Sequence, residues 1–171
     1  MKKVVVFLLI IFAVNTTFCQ SQGNFQNAQE GNVWYFGNGA GLDFNSGNPQ
    51  VINSNGFANM SQEGSSVACD SIGNILFYTE GRNVYDRNHA VMVNGDNLNG
   101  HHSTTQSSQI FPVPGSNTLY YIFHLEDKST PEPWRNGELY YSIVDISLNA
   151  GLGEVITKNV LMHGGAPHME G

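Results

Sequence analysis

Three small groups of residues have the types that chemistry requires. His101-His102, in the stretch NGHHSTTQ, and His163 and His168 further on, carry imidazoles suited to zinc. No cysteine or carboxylate stands at ligand spacing around them, so they read as loop histidines without a metal. Glu80, Asp86 and His89 follow one another closely and have the types of an acid and a base. Hydrolysis of an anionic substrate would need a cluster of arginines, and only Arg82, Arg87 and Arg135 are present, so the three read as structural. Asp43-Phe44-Asn45 and Asp70 to Asn74 offer oxygens to calcium, yet neither approaches a D-x-D-x-D-G loop, and turn-capping explains them more simply. No G-x-S-x-G, P-loop or dinucleotide fingerprint occurs. The sequence therefore assigns no catalytic, cofactor-binding or metal-ligating residue. The candidate ligand contacts are Trp134 and Arg135 in the proline-flanked loop PEPWRN, where the indole either stacks on a sugar or partner protein or folds back over its own sheet. Trp34 reads as core.

The elements that must position these residues are strands. Ser65 to Met92, SSVACDSIGNILFYTEGRNVYDRNHAVM, is the clearest stretch. Ser65 to Cys69 is β-prone, Asp70 to Asn74 carries the Asx and Gly residues that reverse a chain, and Ile75 to Thr79 suits a buried pleated surface. Glu80-Gly81 then turns the chain into Asn83 to Asp86. The pattern predicts an antiparallel meander, with Cys69 as a small buried thiol. Later strands are expected at Ile110 to Val113, Leu119 to His124, Leu139 to Ile146 and Glu154 to Met162, the last two as a hairpin.

The meander recurs. Asn32-Val33-Trp34-Tyr35-Phe36 is followed forty-two residues later by Asn74-Ile75-Leu76-Phe77-Tyr78, and forty-three after that by Asn117-Thr118-Leu119-Tyr120-Tyr121. Gly39 matches Gly81, Leu42 matches Val84, and Ser65-Ser66 matches Ser107-Ser108. A period of about 40 to 45 residues in strand-rich segments is the signature of β-propeller blades. One such sheet cannot cover both of its faces, and pairs such as Phe77-Tyr78 place a large side chain on each, so neighbouring sheets must stack.

Chain-end composition and charge set further bounds. Of 171 residues, 40% are apolar and 12% charged, which suits a folded domain. Lys2 and Lys3 before the apolar run Val4 to Val14 describe a signal peptide over residues 1 to 19, cut between Cys19 and Gln20, and the run is too short for a stable membrane span. Without the leader, seven basic residues less two leaves five against fourteen acidic ones, a net charge of −9. That disfavours nucleic acid and anionic membrane as partners. Only Cys69 survives cleavage, so no internal disulfide forms. Residues 20 to 31 read as a flexible lead-in, 32 to 162 as the sheet-forming region and 163 to 171 as an unpaired tail. Asn59-Met60-Ser61 fits a glycosylation sequon.

The runs GNILFYTEGRNVYDRNHAVM, STTQSSQIFPVPGSNTLYYIF and LYYSIVDISLNAGLGEVITKNVLM carry a resemblance that spans roughly residues 32 to 162. The chain resembles the N-terminal propeller region of large secreted or cell-surface proteins of Bacteroidota that are associated with gliding motility and exported by the type IX secretion system. The resemblance implies an all-β, WD40-like or quinoprotein-like propeller serving as an extracellular binding or adhesion platform, with a protein or glycan ligand and no cofactor. The bacterial resemblance also makes the sequon incidental. Such proteins are longer, with further blades and a C-terminal sorting domain. The expectation is therefore an incomplete propeller of about two to three antiparallel blades, the N-terminal piece of a longer protein, with an open sheet edge. The alternative is a propeller-type glycan hydrolase or lyase whose active site lies on blades missing from this chain.

Overall fold

The computed structural model describes residues 28–53, 57, 63–126 and 137–163. The leader, its Cys19-Gln20 cut, the loop bearing Trp134 and Arg135, the sequon and His168 lie outside them. Among the described residues ten strands form three antiparallel sheets, none of them closed. The first sheet holds β1 (Val33–Tyr35), β2 (Gly41–Asp43) and β3 (Gln50–Ile52); the second holds β4 (Ser66–Cys69), β5 (Ile75–Thr79) and β6 (Val84–Asp86). The third holds β7 (Ser108–Pro112), β8 (Leu119–Leu125), β9 (Leu139–Asp145) and β10 (Glu154–His163). Within each sheet the strands follow chain order, so the molecule is all-β and each sheet is a meander. β10 includes His163, which pairs with Leu139, so the strand runs one residue into the expected tail.

Short polar turns make these reversals. Asp70 Oδ1 accepts the N–H of Ile72 at 3.0 Å and of Asn74 at 2.9 Å, while its Oδ2 accepts Asn74 Nδ2, and these bonds hold its carboxyl below the usual range. Asp43 Oδ1 accepts the Asn45 N–H at 2.7 Å. Both carboxylates with calcium-like surroundings thus serve their own turns.

Two cores result from stacking the sheets. Between the first and second lie Val33, Tyr35, Phe57, Cys69, Tyr78 and Tyr85. The rings of Tyr35 and Phe57 meet Tyr78 edge to face, with centroids 4.9 and 4.8 Å away. Between the second and third lie Ala68, Leu76, Phe77, Val84, Met92, Leu98, Ile122, Val144 and Val155. β5 is therefore covered on both faces, with Tyr78 toward one neighbour and Phe77 toward the other, as its paired aromatics require. Burying a side chain such as Phe77 contributes about 1.5–3 kcal/mol.

Trp34 departs from the expected core position. In β1 the residues on either side, Val33 and Tyr35, take the buried face, and alternation turns Trp34 the other way, where it is 52% exposed. The repeat also holds in strand order better than in register. Ser66 and Ser108 are equated by sequence, yet they point at each other from different sheets, their Oγ atoms 3.1 Å apart. Tyr121, equated with the buried Tyr78, lies on the outward face beside Phe123 and Tyr141, while Tyr120 packs on Phe77. A slip of one residue inverts every side chain of a strand, and the β4–β5 pair carries a register shift between Ala68 and Cys69 that the β7–β8 and β8–β9 pairs lack.

A crossing segment after β6 clasps the last strand. Val93 bridges Glu154, Asn94 Nδ2 donates to Val155 O at 2.6 Å, and Asn159 Nδ2 donates to Asn97 O at 3.2 Å. Lys158 and Asp96 add an ion pair at 3.2 Å. Shifts in the β9–β10 register between Thr157 and Val160 put Asn159, at φ +58°, where it can reach back.

Candidate functional site

The first strands of the three sheets lie side by side, β1 against β4 and β4 against β7. Serine hydroxyls stitch these junctions. Ser65 Oγ donates to Tyr35 O at 2.6 Å, Ser66 Oγ to Ser108 O at 2.5 Å and Ser107 Oγ to Gly64 O at 2.7 Å. The serine pairs recognised as repeat markers are thus inter-sheet clasps. The approach is close enough that side chains are excluded: a Cβ on Gly64 would collide with Ser107 N, and one on Gly81, at φ +92°, would lie 2.8 Å from Ser107 O.

Alongside the clasps runs a groove of about 450 Å³. Its functional lining is Trp34, Glu63, Thr105, Gln106 and Gln109, with Phe36 extending the apolar side. The Trp34 indole is held in place: Nε1–H donates to Gly31 O at 2.8 Å, and the ring lies against Phe44 with centroids 5.1 Å apart. Glu63 is the one acidic group on this lining, and no lysine or arginine lines it among the described residues. Tyr35 borders the groove, but its ring belongs to the core between the first and second sheets, where its phenol is pushed up to about 12, first by burial and then by Cys69 and Asp43. Such a surface offers an aromatic face, amides, a hydroxyl and one carboxylate, which suits binding of a polyhydroxylated or peptide-like ligand.

The residues weighed for catalysis do not converge. Glu80 precedes β6 and is almost fully buried, and its carboxylate accepts Asn83 N at 3.1 Å and Asn83 Nδ2 at 3.0 Å. Burial raises its pKa against those bonds. Asp86 ends the same strand and caps the next turn, its Oδ1 accepting Asn88 N at 2.7 Å and Ala90 N at 3.1 Å. His89 sits in that turn at φ +66° with Nδ1 3.1 Å from the Tyr78 hydroxyl. Glu80 and Asp86 thus stand at opposite ends of β6. His101 and His102 have rings 4.2 Å apart, and His101 Nδ1 lies 2.9 Å from Ser103 Oγ. Among the described residues no three His, Cys, Asp or Glu side chains gather as a metal site. A smaller pocket of about 270 Å³ brings Arg82, Asn97, Asn99, His101 and Glu126 together.

Two features escaped sequence reasoning. Trp34 at the groove was legible only as a strand aromatic. His124, inside β8, is 1% exposed and faces Ser142 on β9, Nε2 to Oγ 3.0 Å. Ser142 Oγ also accepts the Asn159 N–H at 3.1 Å, and it can either donate to or accept from His124 Nε2, which leaves Nδ1 as the ring's other nitrogen. That Nδ1 has no hydrogen-bond partner among the described residues, and burial lowers the His124 pKa to about 4. Compared with family models, with curated proteins and with solved structures, the chain finds no match.

Proposed function

We propose that the chain is a non-enzymatic binding module, a set of β-propeller blades belonging to an exported surface protein of the gliding-associated kind that its sequence resembles, and that it serves adhesion to an extracellular protein or glycan. The observation that carries this reading is the alignment of β1, β4 and β7, the first strands of three successive meanders, joined by serine clasps along an open groove. Stacked meanders whose first strands share one side are the arrangement that propeller blades adopt around their axis. The use of Glu80 and Asp86 in their own turns favours binding over acid–base hydrolysis.

The test uses the intact producing cell. Protease added outside should degrade the chain, and deletion of its gene should lower adhesion of the cells to a polysaccharide or protein-coated surface. A chain protected inside the cell, with adhesion unchanged on deletion, would overturn the proposal. Release of sugars from a chromogenic glycan panel by a longer parent protein, but not by this chain alone, would instead establish the hydrolase or lyase alternative.

A further inference from the structure

We infer that the groove beside β1, β4 and β7 is a saccharide site, in which Trp34 is the platform for a neutral pyranose ring and Gln106, Gln109 and Glu63 take its hydroxyls. This rests on the binding-module reading and names the ligand class of its groove.

Trp34 is both exposed and immobile. Half of its surface meets solvent, yet the indole is pinned through its N–H to Gly31 and through its ring to Phe44. A large aromatic held rigid at a groove has little ordering entropy left to lose on binding, and its apolar face matches the C–H face of a sugar ring. The groups around it have hydrogen-bonding capacity to spare: Glu63, Thr105, Gln106 and Gln109 all line the groove, all four are exposed, and no hydrogen bond to another described residue occupies their side chains. Two primary amides and a carboxylate supply both donors and acceptors, as paired hydroxyls require.

Charge narrows the class. The groove holds a carboxylate and no cation among its described residues, and the chain is net negative at −7, so uronic or sulfated sugars meet repulsion. The volume of about 450 Å³ falls in the usual range for small-ligand sites and accommodates a short oligosaccharide. By contrast, the aromatic row Phe111, Phe123, Tyr121 and Tyr141 on the third sheet packs ring against ring.

The full chain carries two tryptophans, so the native chain is titrated beside Trp134→Phe, in which Trp34 is the sole indole reporter, and the native chain's response decides the outcome. Fluorescence titration with a neutral β-glucan tetramer, an N-acetylglucosamine tetramer and a galacturonate tetramer should show saturable binding of a neutral sugar with Kd of about 10 μM to 1 mM, and galacturonate binding at least about tenfold weaker. By calorimetry, Trp34→Ala should abolish binding, Gln109→Ala weaken it about tenfold, and Trp34→Tyr retain it, the last two deciding the matter if the alanine chain fails to fold. No saturable response to either neutral tetramer at about 10 mM, or equal affinity for galacturonate, would overturn the site. Adhesion that survives Trp34→Ala and Gln109→Ala on the cell would sink this site while leaving the binding module standing.

Discussion

His124 is an almost wholly buried imidazole, and its protonation has a calculable effect. With a folded pKa of about 4 against an ordinary 6.5, the folded state resists taking up the proton. Its stabilising share is complete above about pH 6.5 and is lost as pH falls toward 4, about 3 kcal/mol in all. Glu80, whose pKa is raised, acts with the opposite sign above its ordinary 4.5, because its ionised form is the one that burial disfavours. Comparing urea midpoints of the native chain and His124→Gln between pH 4 and 7 isolates the histidine: the native chain should lose stability on acidification relative to the variant. Equal pH slopes would refute the assignment. The sequence showed His124 only as the end of a strand, since neither its burial nor Ser142 opposite it exists before β8 and β9 pair. Trp34 was misread for the same reason, because alternation says that two faces differ but not which one a neighbour covers.

At the scale of elements, the turns and strand centres were legible and the register was not. Asp70 to Asn74 and Ile75 to Thr79 fold locally as their composition dictates, so β4, β5 and β6 lie within a residue of where they were expected. Register depends on bulges, which come from how two strands meet. Phe77→Ala should cost about 3–5 kcal/mol, because Phe77 is wholly buried between two sheets, whereas Phe111→Ala, half-exposed on the outer sheet beside Phe123, should cost only about 1 kcal/mol. Paired denaturant titrations measure both. Gly81→Ala combines a positive φ with a Cβ pressed on Ser107 O, and should cost about 2 kcal/mol or more by the same measurement. A loss under about 0.5 kcal/mol would show that the junction between the second and third sheets yields easily.

Across the whole molecule, stability should follow the stacking order. The second sheet is sandwiched and the first and third each keep an outward face, with Val51 on β3 70% exposed. Amide hydrogen exchange should therefore be slowest in β5 and fastest in β3, a gradient that equal protection across the three sheets would contradict. The sequence by itself determined the all-β class, the strand order and the need for stacking, because alternating aromatics and Asx-Gly turns act over a few residues and carry their instructions locally. The repeat likewise announced that sheets would follow one another. Only the tertiary structure decided which face of each strand meets a neighbour, that the serine pairs become clasps, and that Trp34, Gln106 and Gln109 border one groove. Those outcomes depend on bulges and close backbone approaches between segments some forty residues apart, where a shift of one residue exchanges the buried and the exposed side of a strand.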